Sequence, residues 1–366
     1  MGTFMVWIAY KIGQYLFPRH PLAAITLAVL VSFQPMLSFL GASVNSDNLM
    51  NLLFTLFLYW CVRLINEANL TWISGLGLLV TIIAGFFTKP HFVIAIPIAF
   101  TLPLFTVSRV IRSLARSPRK WLITLVMAAA VVSTRLMSVI QDIIQGQPIS
   151  VSEVSLRFLN HPTYAISVYQ HLLWTLRHTI AEVIPWYWGV FNWLGVTLPR
   201  GVNRVINRIM IVSLVGLVIW IWQRLRRGLN QPSKTLVFLG TSSIIFFGVM
   251  LLWDWLFVRG QGFSFGMQGR YYFPTLVAHI SLLLVGLISL VPKRMRKFQS
   301  IWLKLIGISM IVLNFIGLHT LAAAYYQLYP VNIFLNQISQ YKPLLFKFPW
   351  LIIWVTLYLA SLTVFI

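Results

Sequence analysis

The sequence is poor in charge, almost without acids, and holds one cysteine. Of its 366 residues only 9% are charged against 59% hydrophobic, with a mean hydropathy of +0.83. That balance cannot cover a soluble core with a wettable surface, which excludes an ordinary soluble domain and makes lipid the solvent. The single cysteine, Cys61, excludes an intramolecular disulfide. Strict apolar–polar alternation is missing from the long apolar runs, which excludes a membrane barrel. In lipid every backbone N–H and C=O needs a partner within the chain, so the runs are predicted to be helices. The fold class is therefore all-α, a polytopic integral membrane protein. No internal repeat or low-complexity segment is present, and the two-half symmetry of many secondary transporters is missing with it. The formal net charge of +22 would suggest nucleic acid in a soluble protein. Here Lys and Arg sit in short clusters between apolar spans, where membrane topology explains them and no nucleic-acid partner is expected.

A span needs about 20 apolar residues, somewhat fewer when its ends snorkel. Eleven segments qualify, at 1–17, 22–42, 49–65, 73–87, 92–107, 121–140, 205–222, 236–258, 271–290, 301–325 and 351–366, and they make residues 1–366 one transmembrane domain. Positive charge falls in alternate loops: Arg19, Arg63, the run from Arg109 to Lys120, Arg224 to Arg227 with Lys234, and Lys293 to Lys297. These loops are expected in the cytoplasm, and the chain in a bacterial inner membrane. Asp47, Asp142, Glu153, Glu182 and Asp254 fall on the opposite side, with only Glu67 among the cations. Chemistry is expected outside. Met1 then lies on the outer face without a signal peptide, an arrangement that points to a helix preceding this chain.

The one long stretch that is not a span, 141–203, is expected to hold interfacial helices on the outer face. From residue 163 to 184 Ile166, Tyr169, Leu172, Leu173, Leu176, Ile180 and Val183 recur at spacings of three and four, between Pro162 and Pro185. Trp186-Tyr187-Trp188 and Phe191-Asn192-Trp193 then read as anchors at headgroup depth. His171 and His178 share a helix face, but two imidazoles without a patterned acid are a weak metal signal.

Three outer-edge motifs stand out. In Ser43-Val44-Asn45-Ser46-Asp47-Asn48, Asp47 is the only acid among the first 66 residues. Ser46 or Asp47 reads equally as a helix cap. In Thr88-Lys89-Pro90-His91 the cation Lys89 breaks the charge pattern and invites an anionic headgroup or phosphate, unless its stem merely covers lipid. In Gly260-Gln261-Gly262 through Gly266-Met267-Gln268-Gly269-Arg270-Tyr271-Tyr272-Phe273-Pro274 the glycines permit an unusual backbone, and Arg270 at a helix mouth suits a phosphate. An Arg270–Asp254 ion pair is the competing expectation. Asp47, Lys89 and Arg270 are each penalised by lipid, and they are expected to converge on one outward-facing cavity.

These motifs, with Gln34-Pro35, Trp188-Gly189-Val190-Phe191-Asn192-Trp193 and Leu198-Pro199, resemble a bacterial family of membrane proteins, domain of unknown function 2142. That family is similar to the GT-C glycosyltransferases. The resemblance implies transfer of a sugar from a polyprenyl-phosphate donor at the outer leaflet to a glycan or lipid acceptor, in envelope polysaccharide or glycolipid assembly. By that resemblance Asp47 matches the second acidic site of such enzymes, and the cations Lys89 and Arg270 would join it as catalytic residues by stabilising the departing phosphate. Substrate-binding residues would be Asn45, Asn48, His91, Gln268, Tyr271, Tyr272 and Trp188. A divalent metal such as Mg or Mn would have Asp47 as its candidate ligand. GT-C enzymes carry their first catalytic acid in an outer loop that has no counterpart here, in keeping with a preceding helix. Two other classes compete: a transporter or flippase of a lipid-linked glycan, and a non-catalytic membrane partner of an envelope enzyme.

Overall fold

The computed structural model describes residues 1–67, 71–106, 166–192, 194–291, 298–340, 343–347 and 350–365. The predicted span at 121–140, the start of the 141–203 loop and the clusters at 109–120 and 293–297 lie outside the described residues.

Helices account for nearly all the described chain. They are α1 (Gly2–Leu16), α2 (Pro21–Ser32), α3 (Pro35–Gly41), α4 (Ser46–Asn66), α5 (Trp72–Thr88), α6 (Ala95–Ala99), α7 (Val168–His178), α8 (Ile184–Trp188), α9 (Arg200–Arg227), α10 (Gln231–Gln261), α11 (Leu276–Ser289), α12 (Gln299–Tyr325), α13 (Val331–Ser339) and α14 (Trp350–Phe365). Two short antiparallel strands, β1 (Val190–Phe191) and β2 (Val196–Thr197), pair between α8 and α9. Among the described residues five helices are long and apolar enough to cross a membrane: α4, α9, α10, Gly269–Ser289 and α12. The bent pair of α2 and α3 makes a sixth if it is one span. The chain is a multi-pass membrane protein. Five or six spans thus stand on length and composition, where the sequence predicts eleven. The segments at 1–17, 73–87, 92–107 and 351–366 are apolar helices too short or too broken to count.

Proline explains the breaks. The predicted span 22–42 bends by 60° at Phe33–Gln34, because Gln34 precedes Pro35 and takes an extended ψ of 117°. In the predicted span 92–107 a 3-10 turn (Pro90–Ile94) leads into the five-residue α6, with Pro97 and Pro103 interrupting regular hydrogen bonding.

The amphipathic helix departs from its predicted limits. It starts at Val168, where Ser167 and Gln170 form a reciprocal capping box. Pro185 does not end it. A π-turn (Thr179–Val183) widens the backbone ahead of the proline, and the helix runs on as α8 to Trp188. One line of it faces the protein, with His171, Thr175 and Val183 buried, while Gln170 and Arg177 are exposed alongside Tyr169, Leu173, Leu176 and Ile180. The exposed apolar stripe suits a membrane interface.

Packing is closest where side chains are smallest. A Cβ on Gly216 would overlap the Gly286 carbonyl, and one on Gly286 would overlap Ser213. Ser213 Oγ donates to the Leu283 carbonyl at 2.9 Å, so α9 and α11 cross backbone to backbone. On the other side of α11 a buried aromatic cluster joins α4, the 90–94 turn and α10. Phe54 meets Phe92 at 5.4 Å and Phe246 at 5.3 Å, and Phe246 meets Tyr272 at 6.3 Å.

Candidate functional site

Helix α4 fixes which end of the molecule carries the site. At its last turn Ile65 accepts from Gln231 Nε2 and Asn66 donates to Thr235, so α4 ends where α10 begins. Its first turn therefore lies beside the last turns of α10. Asp47 occupies that first turn. Asn45 caps the helix by accepting the Asp47 N–H at 3.0 Å, and its amide donates to Asp47 Oδ2 at 3.2 Å. The cap is thus Asn45 instead of Ser46 or Asp47, and the Asp47 carboxylate is left to do something else. Asn48 closes the loop by donating to the carbonyls of Leu40 at 2.9 Å and Ser43 at 2.8 Å.

Lys89 reaches the Asp47 carboxylate and pairs with it, across 42 residues of sequence. The pair is half-hidden, with side-chain exposures of 30% for Lys89 and 17% for Asp47. His91 follows on the 3-10 turn, within the field of both charges and 5.8 Å from the Trp253 ring of α10. One turn below Asp47, Asn51 is buried with a side-chain N–H that meets no acceptor among the described residues. The sequence reading missed Asn51. Its signal was the four-residue spacing from Asp47, which puts both on one helix face.

Asp254 does not pair with Arg270. It is fully buried, and its Oδ1 accepts from Ser264 Oγ at 2.8 Å and the Phe265 N–H at 3.0 Å, while Oδ2 stands 3.4 Å from His171 Nε2. Burial pushes the His171 imidazole below its ordinary value, against the opposing pull of the Asp254 carboxylate. His178 makes a 3.2 Å contact with the Met267 carbonyl in the same loop. The two histidines set aside as weak metal candidates thus hold the glycine-rich loop from above. Gly262 and Gly266 adopt φ of 82° and 81°, which gives that loop its shape.

The loop delivers Arg270. Gly269 lies so close to the Tyr187 backbone that a Cβ would overlap it, which seats the 3-10 turn Gly269–Thr275 against α8. Gln34, fully buried, donates to the Tyr187 carbonyl and so ties α3 to the same place. The Arg270 guanidinium lies 5.6 Å from the Tyr271 ring, and its Nε–H is buried with no acceptor among the described residues. Arg270 is at the Asp47 end of the molecule but touches neither Asp47 nor Lys89. None of the three lines either of two cavities, of about 680 Å³ and 330 Å³, in the described structure.

The other expected substrate residues divide. Gln268 caps the 269–275 turn through its carbonyl, which accepts from the Tyr271 N–H at 3.0 Å. Tyr271 stacks on Phe265. Tyr272 is buried with its hydroxyl on Met267 Sδ, and Trp188 is buried with its N–H on Met210 Sδ. Both line the smaller, apolar cavity. The sequence reads Trp188 as an anchor at headgroup depth; the extension of the helix past Pro185 seats it against Met210. A metal fits poorly: one carboxylate beside an ammonium is a meagre donor set, and no group of three His, Cys, Asp or Glu gathers among the described residues.

A family model described as dolichyl-phosphate-mannose-protein mannosyltransferase matches residues 1–137, a stretch that holds Asp47 and Lys89 and stops short of Arg270. No curated protein and no solved structure matches the chain. The match is not to the 2142 family that the motifs resemble. At the coarse level that it supports, the chain is a multi-pass membrane protein similar to the GT-C-type glycosyltransferases.

Proposed function

We propose that the chain transfers a sugar from a polyprenyl-phosphate donor to an acceptor hydroxyl at the outer face of the membrane, in assembly of an envelope polysaccharide or glycolipid. One observation carries the reading: Asp47 and Lys89, each at the edge of an apolar helix, meet within the stretch similar to lipid-linked sugar transferases. In the reaction the acceptor oxygen bonds to the anomeric carbon as the bond from that carbon to the donor phosphate breaks. The Asp47 carboxylate accepts the hydroxyl proton, and the phosphate leaves with the electron pair. Lys89 lies beside Asp47 to meet that developing negative charge. Arg270, with an unengaged Nε–H at the same end, offers the forked donor set that a phosphate accepts.

The test uses the full chain in proteoliposomes with a radiolabelled polyprenyl-phosphate hexose. The Asp47→Asn variant is expected to retain donor binding and lose transfer. Transfer by Asp47→Asn at the wild-type rate would defeat the assignment.

A further inference from the structure

The molecule holds a second cationic site, at the end opposite Asp47. There the turn between α1 and α2, the last turns of α9, the start of α10 and the end of α11 enclose a cavity of about 680 Å³. Asp47 and Asn66 mark the two ends of α4, so this cavity lies about 30 Å from the Asp47–Lys89 pair. Arg19, Arg224, Arg227 and His20 line it, and among the described residues no Asp or Glu does. The nearby acid of this end, Glu67, is already paired with Arg63.

The geometry points to a phosphate-binding site. Three guanidinium groups around one cavity repel one another, and the field inside favours an anion. Arg224 gives the sharper sign. Its guanidinium carbon is 5.8 Å from the Trp220 ring, and its Nε–H is buried and meets no acceptor among the described residues. A buried charged donor left unmade is costly, and a phosphate oxygen satisfies it. Phosphate also matches the paired donors of arginine better than a single-point anion does. The phosphate is carried on an anionic lipid headgroup or is free. The lipid source is favoured by the wall of the cavity, where Trp220 borders the exposed apolar side of α9 at Ile219, Ile221 and Leu225. Basic pockets between membrane helices commonly take lipid headgroups in this way. The site does not rest on the sugar-transfer reading, since it shares no residue with Asp47, Lys89 or Arg270.

Native mass spectrometry of the full chain in dodecyl maltoside tests it, with phosphatidylglycerol and inorganic phosphate titrated separately. Wild type is expected to hold phosphatidylglycerol, and Arg19→Gln with Arg224→Gln to weaken it at least about tenfold, the scale of one lost charge-assisted pair. Arg224→Lys should recover only part, because an ammonium lacks the fork. Arg227→Gln, at an exposed position, makes the same test without disturbing a buried group, and a smaller loss is expected. Retention of phosphatidylglycerol against millimolar inorganic phosphate assigns the lipid source. Displacement by inorganic phosphate, with the same dependence on the arginines, assigns the free ion. Equal binding by wild type, the double variant and Arg227→Gln, for both probes, would overturn the site.

Discussion

At the scale of single residues, the partner of each charge separates chemistry from architecture. Asp254 is the most buried carboxylate described, yet its contacts are a hydroxyl, a backbone N–H and an imidazole, which is the environment of a structural tie. Asp47 is less buried and holds only a cation and its own cap. A pair kept for stability should tolerate reversal, because Asp47→Lys with Lys89→Asp restores opposite charges at the same places. A catalytic pair should not. The expectation is that Asp47→Asn lowers the transfer rate by at least about 100-fold, the scale of a lost general base. The reversed pair should fold and remain inactive. Recovered transfer in the reversed variant would assign the pair to architecture. Arg270→Lys is expected to raise KM for the donor more than it lowers kcat for an acceptor held in the same membrane, since it keeps the charge and loses the fork. An unchanged KM would detach Arg270 from the donor phosphate.

At the scale of elements, two kinds of junction carry the fold. The crossing of α9 and α11 depends on Gly216, Gly286 and Ser213, where lipid supplies no hydrophobic drive and close backbone approach does the work. Ser213→Ala should cost about 0.6 kcal/mol, the mean for a membrane hydrogen bond. Gly286→Leu should cost about 1–3 kcal/mol or more through overpacking. Steric-trapping unfolding in bicelles measures both, and equal tolerance of the two would show that the helices are not in contact as described. The junction of α7 with the glycine-rich loop depends instead on a neutral His171. Burial lowers its proton affinity in the fold, so below about pH 6.5 the unfolded chain binds the extra proton and stability is lost as pH falls. The thermal midpoint of wild type should therefore drop more between pH 7.5 and 5.5 than that of His171→Gln. Parallel drops would place the pH response elsewhere. This junction was hardly legible in the sequence. Period and flanking prolines gave the helix, but an amphipathic pattern does not say which side meets protein, and here the His171–Thr175 line does while most of the apolar stripe stays exposed. By contrast the loop glycines were written in single residues, and the charges of the candidate site announced themselves by standing where lipid penalises them, whereas the bend at Gln34–Pro35 fell inside a run read as one span.

At the scale of the whole molecule the apolar runs were legible because their hydropathy is local, whereas which of the described runs form unbroken crossing helices was not. Helix length in the described chain is set by prolines and tertiary packing, so runs that look equal in composition become crossing helices in one place and broken segments in another. Orientation remains a property of charge, and both proposed sites depend on it. The Asp47–Lys89 end belongs outside and the Arg19–Arg224 end inside, if Lys and Arg follow the cytoplasmic bias. Two exposed turns report the two ends: Val44, just before α4, and Leu229, between α9 and α10. The native Cys61 is buried and should be silent to a bulky reagent. A membrane-impermeant maleimide applied to intact cells is then expected to label Val44→Cys, and to label Leu229→Cys only after permeabilisation. The reverse pattern would put Asp47 on the cytoplasmic side. A polyprenyl-phosphate donor would then have to be used at the inner leaflet, and the phosphate site around Arg224 would draw its ligand from the outer one. Labelling of both positions in intact cells would mean that the two turns share a side, which the run of α4 from Asp47 to the start of α10 forbids.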